Sequence, residues 1–227
     1  MAALQIAIDG PAASGKSTVA RLVAARLGGY YVNTGDMYRA VSWAALERGI
    51  DIAADPEAVR ALLGTLDLRY EVAGPGQLQL QLNGAPVPQE QIRSAAVAAV
   101  VSLVARLPAV RDWLRERQRE CCALGTVVME GRDIGTVILP AAPFKFFLTA
   151  SPEERARRRL AQPGEVAPGA TVASVAAEIA ARDRLDSSRA VAPLRAAAAA
   201  VTLCTDGLTP EEVTQRIVDT VLGGLRP

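Results

Sequence analysis

The sequence Gly10-Pro-Ala-Ala-Ser-Gly15-Lys16-Ser17 matches the pattern G-x-x-x-x-G-K-[ST] at every fixed position, and Thr18 follows it. Before it, the apolar run from Leu4 to Asp9 is typical of a buried strand. After it, apolar residues recur at helical spacing from Ser17 to Leu27. Strand, glycine-bounded loop and helix therefore come in the order that a phosphate-binding P-loop requires.

The glycines, the lysine and the serine of this loop suit separate roles in holding a triphosphate. Gly10 and Gly15 permit backbone angles that turn successive N–H groups inward, and the N-terminus of the following helix adds partial positive charge. Lys16 supplies a full charge near the β- and γ-phosphates, and Ser17 offers a hydroxyl to Mg²⁺. The alternative is a chance glycine turn before a helix. Lys16 and Lys145 are the only two lysines of the chain, which argues against a chance lysine at this position of the motif.

The composition limits the class of protein. A chain of 227 residues is long enough for one large α/β domain or a core with small insertions, and 50% of it is hydrophobic. The formal net charge of +1 argues against broad nucleic-acid binding. The chain has no histidine, which excludes histidine as a general base or metal ligand.

The cysteines and the apolar runs favour the cytoplasm. Cys121, Cys122 and Cys204 form neither a disulfide framework nor a zinc-binding spacing, so a reducing compartment fits best. The N-terminus lacks the basic residues of a signal peptide, and no apolar span reaches the ~18 residues of a transmembrane helix. We therefore expect a cytoplasmic protein without a membrane partner.

The segment after the P-loop unit is predicted to form a short strand and then a helix with an arginine in its early turns. Tyr30 to Val32 is predicted as a short strand, and Thr34 as the N-cap of a helix that runs to about Arg48. Arg39 then lies about one turn into the helix, where a guanidinium reaches an anion at the helix start. The alternative is a solvated helix arginine, which the local sequence alone favours.

A change of period predicts an inserted sheet. After a helix that starts at Asp55, residues 66–72 and 77–82 alternate strictly between apolar and polar side chains, and a hairpin turn signal follows at 83–84. Residues 85–88 are expected to return as a short third strand. Because alternation implies one buried and one solvated face, residues 66–92 are interpreted as a small antiparallel subdomain.

A charged cluster follows a later strand. The apolar run from Thr126 to Met129 ends in Glu130-Gly-Arg-Asp133. Ligands of open parallel sheets bind where the strands end, so we interpret this cluster as functional. Upstream, Pro108 divides a helical stretch from Ser94 to Cys122, and Arg111 in it either faces a site or belongs to a solvated helix face.

Two arginine clusters flank a loop rich in proline and glycine. Ser151 is the expected cap of a helix with four arginines, residues 162–169 form the loop, and a helix from Val172 to Leu185 leads to the second cluster at 182–189. The pattern indicates a lid over a phosphate site, and the alternative is an ion-paired pair of surface helices. A strand at 200–204 and a helix at 210–222 complete the chain.

Arginines on separate segments favour a kinase over a switch or a motor. They are Arg39, Arg111, Arg132, Arg155, Arg158, Arg182 and Arg189. Phosphoryl transfer between two phosphates must neutralise two anions and shield them from water, and guanidinium groups suit this better than lysine. The chain has no NKxD element, which weakens a GTPase interpretation.

Four separated motifs, in order, resemble those of the bacterial cytidylate kinases, a P-loop family of nucleoside monophosphate kinases. Besides the P-loop, they are Thr34-Gly-Asp-Met-Tyr-Arg39, Glu130-Gly-Arg-Asp-Ile-Gly-Thr-Val137, and the segment from Arg182 through Arg189-Ala-Val-Ala-Pro-Leu194. The resemblance covers nearly the whole chain. It implies phosphorylation of CMP, and also of dCMP, with ATP as phosphate donor and Mg²⁺ as metal ion.

The same resemblance implies an α/β fold. A parallel five-stranded sheet flanked by helices would carry the inserted antiparallel β subdomain and a short lid. Residues 1–227 would form a single P-loop kinase domain, with a CMP-binding region at 34–105 that includes the 66–92 insertion, and a lid region at 155–186. The protein is expected to act as a monomer in pyrimidine nucleotide metabolism and to bind no nucleic acid.

The resemblance also implies roles for individual residues. ATP would contact Gly10, Pro11, Ala12, Ala13, Ser14, Gly15, Lys16, Ser17 and Thr18. The CMP phosphate would be held by Arg39, Arg132 and Arg189, the cytosine by Thr34, Arg111 and Asp133, and the ribose by Ser102, Arg182 and Asp186. The catalytic residues would be Lys16, Arg132, Arg155 and Arg158. The P-loop pattern, rather than the resemblance, makes Ser17 the candidate Mg²⁺ ligand, and the alternative is that Ser17 does not contact the metal. No side chain need act as a strong base, because the CMP phosphate is itself a nucleophile.

Two positions depart from the family pattern. Asn33 stands where the family often has an acid, and Ser17 stands where many members have glycine.

Other functions are compatible with parts of the sequence. The nearest alternative is a P-loop kinase for another acceptor such as UMP or a small metabolite. A nucleotide-binding switch or assembly ATPase is a different class. A nucleic-acid-binding module is disfavoured by the near-zero net charge.

Overall fold

The structure is a computed structural model, and it describes residues 3–162, 166, 169–189 and 191–225 of the 227-residue chain. The strands are β1 (Gln5–Asp9), β2 (Tyr30–Asn33), β3 (Leu68–Gly74), β4 (Gln77–Leu82), β5 (Ala85–Pro86), β6 (Val127–Gly131), β7 (Phe144–Thr149) and β8 (Val201–Cys204). The α-helices are α1 (Lys16–Arg26), α2 (Thr34–Glu47), α3 (Pro56–Leu63), α4 (Gln89–Ile92), α5 (Ala95–Val104), α6 (Pro108–Glu120), α7 (Pro152–Leu160), α8 (Val172–Ser187) and α9 (Pro210–Gly224). These elements form two compact units, one of residues up to Val32 and from Leu124 onward, the other of Asn33–Ala123.

The first unit is built on a five-stranded parallel sheet in the order β2-β6-β1-β7-β8. The central strand β1 is apolar because helices cover both faces of such a sheet, and Ile6, Ala7 and Ile8 are fully buried. Its register with β6 sets Ile8 opposite Glu130. The register therefore brings the charged cluster that follows β6 next to the strand that leads into the P-loop. The predicted sheet is confirmed.

Helices α1 and α9 bury their apolar faces against this sheet. Their core includes Val19 and Val23 of α1, Phe146 of β7, and Ile217 and Val221 of α9. All of these side chains are at least 98% buried. This packing fixes the start of α1, and with it the P-loop, on a rigid base.

The second unit combines helices with a three-stranded antiparallel sheet, β3-β4-β5. Its core joins Met37 and Val41 of α2, Leu68 of β3, Ile92 of α4 and Leu114 of α6. The predicted hairpin and the division of the helices at Pro108 are both confirmed. The third strand is shorter than expected, because it ends at Pro86 rather than at residue 88.

The expectation of one buried and one solvated face fails at two positions of the hairpin. Gln81, predicted to be solvated, is only 8% exposed, and Val72, predicted to be buried, is 52% exposed. Gln81 pairs with Pro86 of β5, whereas Val72 pairs with Leu78 close to the hairpin turn. The alternation of apolar and polar residues shows on which face of the sheet a side chain lies. The burial of that side chain depends on what packs over the face.

The predicted helix caps are confirmed for α3 and α7 and wrong for α2. Asp55 and Ser151 cap α3 and α7 through the expected backbone N–H groups. The cap of α2 is Asn33 rather than Thr34, because the Asn33 side chain accepts a hydrogen bond of 3.2 Å from the Asp36 N–H. Thr34 is instead the first helical residue, and it is buried.

Most of the predicted loop at 162–169 lies outside the described residues, so its conformation stays a prediction.

Within the described part of the chain, no helix is both long and apolar enough to cross a membrane.

Candidate active site

The P-loop joins β1 to α1 through backbone conformations that favour glycine. Gly10 has a φ of +150°, and a Cβ atom placed on it would lie 2.1 Å from the carbonyl oxygen of Leu148 on β7. Gly15 has a φ of +89° and is the N-cap of α1. Gly10 therefore cannot be replaced without moving the sheet, and Gly15 sets the first turn of the helix.

Lys16 is the first residue of α1, and its side chain is buried inside the loop. The residue is 5% exposed, and Nζ donates a hydrogen bond of 2.6 Å to the carbonyl oxygen of Pro11. Burial lowers the pKa of Lys16 to about 7, and the nearby Arg132 acts in the same direction. The carboxylates of Glu130 and Asp9 oppose this shift. The Lys16 ammonium thus lacks enough negative charge to offset its burial.

Glu130 connects the P-loop to the neighbouring strand. The Ser17 hydroxyl donates a hydrogen bond of 2.5 Å to Glu130 Oε1, and the Tyr31 hydroxyl donates one of 3.0 Å to the same oxygen. Glu130 belongs to β6 and is buried. A carboxylate therefore stands beside the hydroxyl that was predicted to bind Mg²⁺.

Asp9, the last residue of β1, holds the turn that follows the charged cluster. Its two carboxylate oxygens accept hydrogen bonds of 2.8 and 2.7 Å from the N–H groups of Ile134 and Gly135. Burial raises the pKa of Asp9 to about 6, although these two hydrogen bonds act in the opposite direction. Asp133, which was predicted to contact cytosine, is buried directly before this turn and also raises the Asp9 pKa.

Asp186 brings together two arginines that were predicted to hold the CMP phosphate. Arg132 Nε donates a hydrogen bond of 3.1 Å to one of its carboxylate oxygens, and Arg189 Nη2 donates to the other. Asp186 is 1% exposed and lies near the end of α8. The buried carboxylate orients both guanidinium groups. Arg182, of the same helix, is partly buried.

Arg155 and Arg158, two of the four arginines of α7, lie against the P-loop and the end of the sheet. Arg155 Nη1 donates hydrogen bonds to the Ala12 carbonyl at 3.2 Å and to Asp183 Oδ2 at 2.6 Å. Arg158 donates to the hydroxyl and the carbonyl of Thr205, each at 2.8 Å. Arg158 Nη1 would also lie 3.5 Å from a Cβ atom placed on Gly15. Two of the three predicted catalytic arginines, Arg155 and Arg158, are thus next to the phosphate-binding loop.

Four residues predicted to bind CMP belong to the second unit. Thr34 and Arg39 lie in the first two turns of α2, and Arg39 Nη1 donates a hydrogen bond of 3.3 Å to the Ile92 carbonyl. Arg111 of α6 is buried, donates to the Ala105 carbonyl at 3.2 Å, and lies 5.8 Å from the ring centre of Tyr38. Ser102 is partly buried on α5. Arg111 is therefore not a solvated helix arginine.

The inserted sheet also reaches the start of α2. The Tyr70 hydroxyl, on β3, donates a hydrogen bond of 2.9 Å to the carbonyl oxygen of Asn33. Asn33 is the residue at which this sequence departs from the acid that is frequent in the family. As the cap of α2 it accepts an N–H hydrogen bond, a role that the carboxylate of an aspartate fills equally well.

The oxygen atoms around the P-loop fit a magnesium ion better than a transition metal. Among the described residues, no group of three or more His, Cys, Asp or Glu side chains is arranged to hold a metal. Mg²⁺ does not need such a cage, because proteins bind it through one or two carboxylates together with substrate phosphates and water. The Ser17 hydroxyl and the Glu130 carboxylate supply hard oxygen ligands of this kind.

Three residues of this site were not assigned a role from the sequence. Glu130 was part of the charged cluster, but its contact with Ser17 depends on the register of β6 with β1. Asp183 accepts a hydrogen bond from Arg155, and Thr205 accepts two from Arg158. Thr205 follows an edge strand and has no motif around it, so no sequence signal identified it.

Comparisons with known proteins agree with this arrangement. A family model described as cytidylate kinase matches residues 6–222. The cytidylate kinase of Pelotomaculum thermopropionicum is 49% identical over 224 residues, covering 97% of each chain. That of Geobacillus thermodenitrificans is 49% identical over 218 residues, covering 95% of each. Among solved structures, a shikimate kinase from Bacteroides thetaiotaomicron has a TM-score of 0.51 at 15% identity, covering 98% of this chain and 99% of the other, which is a likeness of fold.

Proposed function

We infer that the protein transfers the terminal phosphoryl group of ATP to CMP and releases ADP and CDP, because the chain belongs to the cytidylate kinase family. The structural observation that supports this function is the position of Lys16 and Ser17 at the start of α1, beside Glu130. A phosphate-binding loop, a lysine and an oxygen ligand for a metal are the parts that phosphoryl transfer from ATP needs. The acceptor dCMP is proposed as well.

ATP binds at the P-loop in this proposal. The backbone N–H groups of residues 10–18 and the N-terminus of α1 hold the phosphates, and Lys16 gives its charge to the β- and γ-phosphates. The burial of Lys16, which lowers its pKa, supports this role, because an incoming phosphate supplies the negative charge that the buried ammonium lacks.

Mg²⁺ is bound by the Ser17 hydroxyl, and Glu130 orients that hydroxyl. The contact between Ser17 and Glu130 supports this assignment, since hydrogen bonds around a metal site orient the ligand and tune its affinity. The ion, when bound, neutralises the charge that develops on the transferring phosphoryl group.

The CMP phosphate is held by Arg39, Arg132 and Arg189. The shared carboxylate of Asp186 supports the pairing of the last two, because it fixes two planar guanidinium groups at one place. Both carboxylate oxygens of Asp186 accept hydrogen bonds from these arginines. Asp186 is also proposed to contact the ribose of CMP. Ser102 and Arg182 complete the ribose contacts.

Cytosine is recognised by Thr34, Arg111 and Asp133. An aspartate accepts a hydrogen bond from the exocyclic amino group of cytosine, and an arginine donates to its acceptor atoms. This combination favours CMP over UMP, which presents a carbonyl oxygen at the position of the amino group. The burial of Arg111 and Asp133 supports the assignment, because buried polar groups strengthen such discrimination.

Arg155 and Arg158 stabilise the transferring group without acting as a base. Both lie next to the P-loop, through Ala12 and Gly15, which supports a role at the ATP phosphates. The phosphate of CMP is already anionic, so the reaction proceeds by positioning and charge stabilisation. We further propose that the protein is a cytoplasmic monomer that binds neither nucleic acid nor a membrane.

An acceptor panel tests the proposed function. Release of ADP is followed with CMP, dCMP, UMP, AMP and shikimate as acceptors under the same conditions. We expect CMP and dCMP to give kcat/KM values far above the others. A higher kcat/KM with UMP than with CMP would contradict the assignment of Asp133 and Arg111 to cytosine.

A further inference from the structure

A residue outside every motif discussed so far contacts the helix that carries Thr34 and Arg39. Arg93 Nη2 donates hydrogen bonds of 3.0 and 2.9 Å to the two carboxylate oxygens of Asp36, in the first turn of α2. The Asp36 side chain is 11% exposed and that of Arg93 is 43% exposed. An arginine at the surface therefore reaches a mostly buried carboxylate at the start of α2.

Arg93 extends from a point of the chain that is itself fixed. It is the C-cap of α4, and Ser94, which follows it, caps α5 by accepting a hydrogen bond from the Val97 N–H. Ile92, which precedes it, is fully buried in the core of the second unit. Because both neighbours are tied down, the Arg93 guanidinium is anchored at its backbone end.

The same junction also contacts Arg39. The Ile92 carbonyl accepts the hydrogen bond from Arg39 Nη1, and Arg93 is the next residue in the chain. Asp36 and Arg39 are three residues apart on α2, so they lie on one face of the helix. Two adjacent residues of the α4–α5 junction thus hold two side chains of that face.

The charges in this cluster agree with a supporting role for Arg93. Asp36 lies in the first turn of α2, where the helix dipole favours a carboxylate. Asp36 offsets the charge of Arg93 through two hydrogen bonds. Arg93 is therefore suited to hold the start of the helix.

We propose that Arg93 is a positioning residue for the acceptor nucleotide. Its ion pair with Asp36 holds the face of α2 from which Arg39 reaches the phosphate of CMP. This inference rests on the proposed function, because it takes Arg39 as a ligand of CMP. It assigns Arg93 no contact with either substrate.

The variant Arg93→Gln tests the proposal through the separation of KM from kcat. We expect KM for CMP to rise about tenfold, the equivalent of ~1.4 kcal/mol, with KM for ATP and kcat at saturating CMP within about twofold of the wild type. Arg93→Lys keeps a positive charge and is expected to restore part of the CMP affinity. The matched control is Arg60→Gln, which breaks an exposed ion pair with Glu57 in the same unit and should leave both KM values unchanged.

The variant Asp36→Asn and the double variant decide whether Arg93 acts through Asp36. If it does, Arg93→Gln has little further effect on KM for CMP once Asp36 is asparagine. Effects that multiply in the double variant would overturn the proposal, because Arg93 would then meet CMP directly. An unchanged KM for CMP in Arg93→Gln, or an equal rise in KM for ATP, would also overturn it.

Two further measurements separate failure of the proposal from misfolding of the variant and from failure of the proposed function. If Arg93→Gln does not fold, as judged by its thermal melting curve, Asp36→Asn decides by the same KM criterion, because it removes the same ion pair, and an unchanged KM for CMP in it overturns the proposal. A wild-type protein that shows no CMP-dependent release of ADP would instead contradict the proposed function. The tests of Arg93 therefore apply to a wild-type protein that is active on CMP, and their failure leaves the proposed function intact.

Discussion

The Ser17 hydroxyl donates a hydrogen bond of 2.5 Å to Oε1 of Glu130, a residue 113 positions further along the chain. Ser17 lies in the first turn of α1, and Glu130 lies on β6, which pairs in parallel with β1. The contact joins the P-loop to the charged cluster and places the Glu130 carboxylate where it orients the hydroxyl proposed to bind Mg²⁺.

Removal of the negative charge of Glu130 should weaken the use of Mg²⁺. Glu130→Gln keeps the shape of the side chain but loses the carboxylate that orients Ser17. We expect the Mg²⁺ concentration that gives half-maximal activity to rise by a factor of about 10 to 100. Titration of Mg²⁺ at saturating ATP and CMP measures it, and Glu211→Gln, at an exposed position of α9, is the control. An unchanged Mg²⁺ requirement would remove Glu130 from the metal site.

Binding of ATP should cause Lys16 to take up a proton. The pKa of Lys16 is lowered to about 7 by burial, so at pH 8 its side chain is mostly neutral in the nucleotide-free protein. The phosphates of ATP add negative charge beside it and raise that pKa, which favours the protonated form. Calorimetric titrations in buffers of different ionisation enthalpy measure the uptake, which we expect to be between half a proton and one proton at this pH.

Two variants complete that experiment. Lys16→Ala should abolish the uptake and lower kcat by orders of magnitude with the fold intact, whereas Lys145→Gln, at the other lysine, should do neither. Near-normal turnover in Lys16→Ala would exclude Lys16 from the reaction.

The burial of Asp9 should make the protein less stable as the pH rises from 4 to 6. The pKa of Asp9 is raised to about 6 in the folded protein, above the 3.8 of the unfolded chain. Between these values the unfolded chain releases a proton that the folded protein retains, so the free energy of unfolding falls with rising pH. The shift corresponds to about 3 kcal/mol, lost across this window.

Urea unfolding of the wild type and of Asp9→Asn between pH 4 and 7 measures this effect. The difference in unfolding free energy between the two should shrink or change sign as the pH rises, since asparagine has no proton to release. A difference that stays constant across the window would show that Asp9 does not titrate there.

The loss of Asp133 should affect CMP more than ATP. Asp133→Ala removes the carboxylate proposed to accept a hydrogen bond from the amino group of cytosine, a contact worth ~1–3 kcal/mol in base recognition. We expect kcat/KM for CMP to fall by about 10- to 100-fold and KM for ATP to change little. Equal losses for both substrates in initial-rate assays would indicate a structural role for Asp133, through the turn held by Asp9.

Local patterns were enough to predict most of the fold. The P-loop between β1 and α1, the hairpin of β3 and β4, and the helix break at Pro108 each depend on residues close together in the chain. The α2 cap was assigned one residue too late, because asparagine and threonine are both good caps and stand side by side at 33 and 34.

Contacts between distant segments could not be predicted in this way. The pairing of Ser17 with Glu130 follows from strand register, and that of Arg93 with Asp36 from the packing of α2 beside the α4–α5 junction. Neither register nor packing leaves a local signal. Family resemblance supplied Arg132, Arg189 and Asp186 as separate ligands, but only the structure shows that the aspartate holds both arginines.

Transfer of isotopic label from [γ-³²P]ATP tests the central claim most directly, because it asks where the phosphoryl group goes. The reaction is run with and without CMP, and labelled CDP and inorganic phosphate are separated and counted. We expect nearly all the label in CDP when CMP is present, little release of phosphate without it, and loss of both products in Lys16→Ala. Label that appears only as inorganic phosphate, at a rate that CMP does not change, would contradict a cytidylate kinase and indicate an ATPase.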